Sequence, residues 1–340
     1  MTPAPRIAVV VPCYRVAAPV LNVLAAMPPM VARVYCVDDG CPQATGNHIT
    51  AHVRDPRVVV LRHDDNRGVG AAMVTGYRAA LADGMDIVVK VDGDGQMDPR
   101  LIPRFVHLIA SGEADYCKGN RFYRVASVAG MPWPRLLGNG VLSFLTKLSS
   151  GYWQTFDPNN GFTAIHAAAL RMLPLDDIDA GYFFEADMLC RLNIARAVVR
   201  DVPMTALYNG AVSSLRIHKL VVSFLYKHLR NFVRRVAYNY YLRDFNLASI
   251  EAPLGLAALA FGCVFGAAHW LESARGTAYA SAGTVMLAAL PVIVGVQMLL
   301  SAINYDVQNV PSTPLQRLLD DHPLATPPRH HGEHREDTQP

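Results

Sequence analysis

Asp92 and Asp94 stand two residues apart directly after an apolar run, Ile87–Val91, and Gln96 follows two residues later. Side chains at alternate positions of an extended segment share a face. Two carboxylates and an amide oxygen can therefore converge where a strand ends. Such an oxygen-rich mouth suits a hard divalent cation, which usually keeps company with substrate phosphates. The competing reading is an Asp/Gly turn after a buried strand, and an isolated D-x-D favours it because the pattern is short. Two more polar clusters shift the balance: Pro12-Cys13-Tyr14 closes a run that begins at Ile7, and Asp38-Asp39-Gly40 follows another.

The elements that must position these clusters alternate along the first ~200 residues, a domain-sized stretch. Strand-like runs are Ile7–Pro12, Val34–Val37, Val58–Leu61, Ile87–Val91 and Ala114–Cys117. Helical runs are Ala18–Ala26, Ala44–Val53, Val69–Ala82 and Leu101–Ile109. This alternation predicts an α/β fold: a mostly parallel, Rossmann-like sheet with helices on both faces. Ligands of such sheets bind at the carboxyl ends of the strands. All three polar clusters then gather on one edge of one sheet, which favours a site over a plain turn.

The chain has 340 residues, of which 51% are hydrophobic, and a formal net charge of +3. That balance does not point to nucleic acid. The excess apolar content lies after residue 250. Ala252–Trp270 and Ala278–Ile303 carry no charged residue, and each can cross a hydrocarbon core of about 30 Å as a helix. A soluble helix would show a polar face, so a transmembrane hairpin is expected rather than a buried one. Lys219, Lys227, Arg230, Arg234, Arg235 and Arg243 precede the first span, and Arg317 and Arg329 follow the second. The positive-inside rule then places both termini, and the N-terminal α/β domain with them, in the cytoplasm. Residues 215–242 set Leu220, Val221, Phe224, Leu225, Leu229, Phe232, Val233, Val236 and Tyr240 among basic residues, the pattern of an interfacial helix drawn to anionic lipid. Domain packing is the alternative. The N-terminus shows no signal peptide. Cysteines 13, 36, 41, 117, 190 and 263 form no C-x-x-C pair and fit a reduced compartment. The stretch from Pro311 onward, with His330, His331 and His334, reads as a solvated, disordered tail.

The elements Val9–Tyr14, Val37-Asp38-Asp39-Gly40-Cys41, Asn66-Arg67-Gly68-Val69-Gly70-Ala71-Ala72 and Asp92-Gly93-Asp94-Gly95-Gln96 resemble, in order, those of the family 2 glycosyltransferases of GT-A fold. With Gly119-Asn120-Arg121 and Asp157-Pro158-Asn159-Asn160-Gly161-Phe162, the chain is similar to dolichyl-phosphate mannosyltransferase and bacterial polyprenyl-phosphate glycosyltransferases. The resemblance covers most of residues 6–215. It departs at Tyr14-Arg15-Val16, where the family commonly continues Tyr-Asn-Glu, and at Cys41, where it has Ser. It departs again at Ser213-Ser214-Leu215-Arg216, where Arg216 or Lys219 could supply a missing positive charge.

What the resemblance implies is a nucleotide-sugar donor, UDP- or GDP-linked, and a polyprenyl phosphate acceptor. Asp92, Asp94 and Gln96 would hold Mg²⁺ or Mn²⁺ against the donor diphosphate. Pro12, Tyr14, Asp38, Asp39 and Arg67 would line the donor, with Asp39 accepting from the base and Asp38 either helping or capping a turn. Gly68 and Gly70 would permit close backbone approach at a helix start, or simply make a turn. Arg121 and Arg135, with Asn139, would grip the acceptor phosphate. Glu185 and Asp187 occupy the region of a general base in sugar-acceptor relatives. They could instead position substrate, or favour a helix dipole.

The expected domains are 1–212 catalytic, 213–249 juxtamembrane, 250–304 hairpin and 305–340 tail. The expected reaction is inverting, metal-dependent transfer to a polyprenyl phosphate. Extension of a lipid-linked saccharide and non-catalytic binding of a nucleotide sugar are the alternatives. The sequence leaves the sugar, the base and homo-oligomer formation open.

Overall fold

The computed structural model describes residues 4–123, 133–158, 160–205, 217–276 and 279–319. Its strands are β1 (Ile7–Cys13), β2 (Val31–Asp39), β3 (Val58–His63), β4 (Ile87–Lys90), β5 (Tyr116–Asn120), β6 (Thr163–His166) and β7 (Val199–Pro203). They form one sheet in the order β3-β2-β1-β4-β6-β5-β7. β3, β2, β1 and β4 run parallel, as do β5 and β7, whereas β6 is antiparallel to β4 and β5. Six of the seven strands thus share one direction, as the mostly parallel expectation has it; β6 is the reversed one, and β6 and β7 come in addition to the five expected strands. β6 is four residues long, too short to show a period of its own.

Helices α1 (Ala17–Ala25), α2 (Thr45–His52) and α4 (Ile102–Ala110) cover one face; α3 (Val69–Ala82), α6 (Ala167–Arg171) and α7 (Phe184–Ile194) cover the other. β1 shows why two cores exist. Val9 and Val11 join Val20, Ile49 and Phe105 on one side. Ala8 and Val10 join Met73, Tyr77 and Met188 on the other, as the two-residue period of a strand requires. α3 seats closely because Gly76 lacks a side chain: a Cβ there would stand 2.3 Å from a methyl of Val10. This architecture agrees with the GT-A expectation.

Two further helices, α5 (Trp133–Ser150) and α8 (Ile217–Ala237), are turned inside out. α5 buries Ser143, Thr146, Ser149 and Ser150 and exposes Trp133, Leu136, Leu137, Val141 and Phe144. α8 buries His228, Asn231 and Arg235 and exposes Val221, Val222, Leu225, Tyr226, Leu229 and Val233. The polar faces meet each other and α7: His228 Nδ1 lies 2.8 Å from Ser149 Oγ, and Asn231 Nδ2 donates to Asp187 at 3.0 Å. The apolar faces point out. α8 ends in a π-helical turn, Tyr238–Arg243.

α9 (Leu247–Ala274) and α10 (Ala282–Gln308) form an antiparallel pair. They are 28 and 27 residues long, roughly 40 Å at 1.5 Å per residue. Both are long and apolar enough to cross a membrane, and most of their residues are not buried. Small residues bring them together: a Cβ on Gly295 would meet Gly255 O at 2.7 Å, and one on Gly262 would meet Ala288 O at 2.6 Å.

The tail expectation needs correcting at its start. After α10 the chain folds back onto the sheet. Arg196 donates to Asn309 O at 2.9 Å. Asp115 accepts from Leu315 N at 2.8 Å and Gln316 N at 3.1 Å, at the start of α11 (Leu315–Leu319). A buried carboxylate meeting helix-terminal N–H groups is a strong local anchor, and polar composition alone hid it. Residues 320–340, with the three tail histidines, lie outside the described residues.

Candidate active site

β4 ends on Lys90, and the chain then turns through Asp92 and Asp94 at the carboxyl edge of the sheet. Lys90 is 1% exposed. Its Nζ lies 2.8 Å from Asp92 Oδ1 and 3.0 Å from Glu185 Oε1. Burial pulls the Lys90 ammonium down, but the two carboxylates hold it above its ordinary range. Asp94 is exposed, and its Oδ1 accepts from Gln96 N at 2.9 Å. The crowded mouth still removes enough water to raise its carboxyl, with the Asp92 charge adding to the effect. Gln96, half-buried, closes this turn through its backbone.

Among the described residues, no three His, Cys, Asp or Glu side chains cluster to cage a metal. Mg²⁺ does not need such a cage; it is commonly held by one or two carboxylates together with substrate phosphates. Asp92 and Asp94 fit that requirement, and the donor set is all oxygen.

On the β2 side both acidic residues turn inward. Asp38 accepts from Cys41 N at 2.9 Å and Gly46 N at 2.6 Å. It caps its own turn and the start of α2. Asp39 is 3% exposed. It accepts from Arg67 N at 2.9 Å and Gly68 N at 2.8 Å, and lies 2.7 Å from His63 Nδ1. These bonds fix the Asp39 carboxylate, the one expected to accept from a nucleoside base, at the turn that leads into α3. Gly68 and Gly70 are approached by protein. Gly68 has φ +97°, and a Cβ on it would meet Ala180 O at 2.4 Å, while Gly70 N donates to Ala180 O at 2.8 Å. The 179–181 loop thus occupies the first turn of α3. Arg67 and Tyr14 are exposed, and Pro12 lies beside Val37 at the end of β1. Cys41 Sγ accepts from Arg15 N at 3.0 Å and lies 3.0 Å from Thr45 Oγ1. Desolvation works the other way, but these bonds lower the thiol below its ordinary range.

The β5 end carries the second cluster. Arg121 makes a two-pronged pair with Asp157, Nε to Oδ2 at 2.8 Å and Nη2 to Oδ1 at 2.6 Å. Asp157 is 1% exposed and sits at φ +59°, a conformation few non-glycine residues adopt. Burial pushes its carboxyl up, but Arg121 and Lys118 hold it below its ordinary range. Asn160 Nδ2 also donates to Asp157, at 3.2 Å. Beneath lies buried Lys118, 3.2 Å from Asp201 Oδ1 and lowered by its burial. Arg135 lies in α5, but its side chain is outside the described residues, as are Asn159, Arg216 and the Lys219 side chain. Asn139 is half-buried on the same helix.

The structure separates the two acids on α7. Glu185 faces the mouth through Lys90. Asp187 is 1% exposed and turned away. It accepts from Asp179 N at 3.0 Å, Arg191 Nε at 2.8 Å and Asn231 Nδ2 at 3.0 Å. It ties α7, α8 and the 179–181 loop together. Lys90 was not singled out from sequence. The signal was a lone charge inside Ile-Val-Val-Lys-Val, where a buried strand otherwise has none.

The family model for glycosyl transferase family 2 matches residues 8–178. The chain is 36% identical over 117 residues to a UDP-N-acetylglucosamine–dolichyl-phosphate N-acetylglucosaminyltransferase of Methanococcus voltae, a match spanning 34% of this chain and 46% of that one. It is 32% identical over 174 residues to an undecaprenyl-phosphate mannosyltransferase of Micrococcus luteus, spanning 51% and 70%. Glucosyl-3-phosphoglycerate synthase of Mycobacterium tuberculosis, solved with Mn²⁺, UDP and glucosyl-3-phosphoglycerate, aligns over 68% of this chain and 80% of that chain, at 20% identity and a TM-score of 0.49. The matched span runs from β1 past the Asp92–Asp94 mouth, and over it this chain belongs to glycosyl transferase family 2, an enzyme family of sugar transfer.

Proposed function

We propose that this glycosyltransferase moves a sugar from a nucleoside diphosphate sugar to a polyprenyl phosphate at the cytoplasmic face of a membrane, with inversion at the anomeric carbon. The observation that carries the reading is the pair of inside-out helices. α5 and α8 turn polar faces to the catalytic domain and apolar faces outward, beside a hairpin of two apolar helices. Trp153, next to Phe144 of α5, donates to Asp306 at the end of α10, which ties this region to the hairpin. Outward Val, Leu, Phe and Trp side chains at this density are what an interfacial surface needs. Both relatives bear names of enzymes that act on polyprenyl or dolichyl phosphates, which supports the acceptor class. Both ends of the hairpin are held by the juxtamembrane segment, Ser249 donating to Tyr240 O and Asp306 pairing with Arg235, so both lie on one side. The basic residues of α8 favour the cytoplasm for that side.

In this reading Asp92 and Asp94 hold the divalent ion, which when bound neutralises the donor diphosphate and favours its departure. Arg121, oriented by Asp157, meets the acceptor phosphate. That phosphate is already anionic near neutrality, its second pKa being about 6, so attack needs no side-chain base. The commitments of the two acids agree: Asp187 is used up by the fold, and Glu185 Oε1 is held by Lys90. A saccharide hydroxyl acceptor would need one of them as a base. The test is transfer of radiolabelled sugar from UDP- and GDP-sugars to polyprenyl phosphate by the full chain in liposomes. Label in a lipid monophosphate sugar supports the proposal. Label found only in extended lipid-linked saccharide overturns it.

A further inference from the structure

Lys90 is a buried cation built into an acidic mouth. β4 is otherwise Ile-Val-Val, and an apolar residue would fill its last position without the cost of burying a charge. The surroundings are shaped for the ammonium. Gly161 leaves it room: a Cβ there would stand 2.3 Å from Lys90 Nζ and 2.6 Å from Asp92 Oδ2. Two carboxylates from different elements, Asp92 after β4 and Glu185 on α7, close on the same Nζ at 2.8 and 3.0 Å. The third carboxylate, Asp94, is within electrostatic reach of both Asp92 and Lys90.

We propose that Lys90 is an internal counter-cation that competes with the divalent ion for Asp92, so that the ion binds tightly only together with the donor diphosphate. The inference rests on the reading of Asp92 and Asp94 as the metal ligands and deepens it. The physics is a balance of like charges. A fixed ammonium in direct contact with one carboxylate cancels part of the field that would attract a bare divalent ion. The diphosphate brings negative charge of its own and restores the attraction. Glu185 tunes the balance by drawing Lys90 partly away from Asp92. Loading then becomes coupled: ion and donor each raise the affinity of the other.

The inference predicts opposite signs for two substitutions. Lys90→Met removes the competing charge and should tighten binding of Mn²⁺ alone about tenfold or more, given the strength of charge interactions at such distances. The gain in Mn²⁺ affinity produced by UDP should shrink in the same variant. Glu185→Gln leaves the whole Lys90 charge on Asp92 and should weaken binding of Mn²⁺ alone several-fold. A purely scaffolding Lys90–Glu185 pair would make both variants weaker. The measurement is free Mn²⁺ by its electron paramagnetic resonance signal, titrated into the full chain in detergent with and without UDP, with melting curves beside it. Lys90→Met tighter and Glu185→Gln weaker supports the inference. Two shifts of the same sign, or a folded Lys90→Met with unchanged affinity, overturns it. Should Lys90→Met not fold, tighter or unchanged binding by Glu185→Gln overturns it alone. Asp94→Asn separates the two layers: if it binds Mn²⁺ as wild type does, the metal reading falls and this inference with it.

Discussion

Arg235 of α8 and Asp306 of α10 form an ion pair at 2.5 Å in which the arginine is 1% exposed. The pair is the bolt between hairpin and catalytic domain. Arg235 also donates to Ser149 O at 3.2 Å and Leu148 O at 3.0 Å, and Asp306 accepts from Trp153 Nε1 at 2.8 Å and from Tyr240. Side chains and backbone from α5, α8, α10 and the π-helical turn therefore meet on one charge pair.

Removing one partner leaves an unpaired buried charge. Arg235→Met or Asp306→Leu should each cost about 3–5 kcal/mol, read as a lower melting temperature of the detergent-solubilised protein. The double variant should recover much of that loss, because no bare charge remains. A double variant as unstable as the sum of the singles would mean that the hydrogen bonds to α5, not the charge pairing, hold the junction.

The metal assignment makes a direct prediction. EDTA should abolish transfer, and Asp94→Asn should lower the rate on the order of hundreds-fold, since a charged ligand is lost from a diphosphate site. Full turnover in EDTA would sink the assignment of Asp92 and Asp94.

Much of this was legible in the sequence. β4 and the Asp92–Asp94 turn were readable because the buried strand is an apolar run broken only by Lys90 and the change to acid is abrupt. α3 lies at its expected bounds because a glycine pair starts it and an apolar stripe continues it. The directions of Asp39 and Asp187 were not legible. Each is fixed by a partner distant in sequence, the 67–68 turn for Asp39 and Asn231 for Asp187, which no local pattern announces. α5 was not read from the sequence at all, and the inverted face of α8 was half-legible. Periodicity reveals an amphipathic helix but not which face meets the domain, and that was decided by His228, Asn231 and Arg235 finding buried polar partners.

The two acids of α7 should behave differently from one another. Asp187→Asn weakens three buried hydrogen bonds, one of them to a guanidinium, and should appear mainly as a loss of stability of about 1–3 kcal/mol, with turnover per folded molecule within about tenfold of wild type. Arg121→Ala should cost more in turnover, because the acceptor phosphate loses a charge-assisted partner worth roughly 1.5–3 kcal/mol. Asp157→Asn should follow Arg121→Ala in raising KM for the acceptor, since Asp157 orients the guanidinium. A large loss of kcat from Asp187→Asn at unchanged stability, with Arg121→Ala near wild type, would favour a sugar hydroxyl as acceptor.

The outward face of α8 supplies a test of membrane apposition. Leu225→Glu with Leu229→Glu places charge on two exposed apolar positions and should leave the melting temperature within a few degrees, because surface changes usually cost under about 0.5 kcal/mol each. Transfer to polyprenyl phosphate embedded in liposomes should fall, while transfer to a short-chain, water-soluble polyprenyl phosphate should not. Equal losses with both acceptors would place the defect in the catalytic domain rather than at the lipid surface.

His228 predicts an acid limit on stability. Its ring is 4% exposed, packs edge-on against Phe183 at 4.8 Å and lies 2.8 Å from Ser149 Oγ. Burial lowers its pKa from 6.5 to about 4, so the folded protein keeps it neutral where the unfolded chain would protonate it. The sign follows from linkage: the unfolded state binds the extra proton first as pH falls, so the stability present above about 6.5 drains away between that value and about 4. The full shift corresponds to at most about 3 kcal/mol. Melting temperature should therefore fall from pH 7 toward pH 4.5 more steeply in the wild type than in His228→Gln, whose amide keeps a polar contact to Ser149 without titrating. Because α8 joins the catalytic domain to the hairpin, detachment of α8 should be the first event in that window, visible as faster hydrogen exchange in α8 before the sheet loses protection. Parallel pH profiles for wild type and His228→Gln would show that other groups set the acid limit.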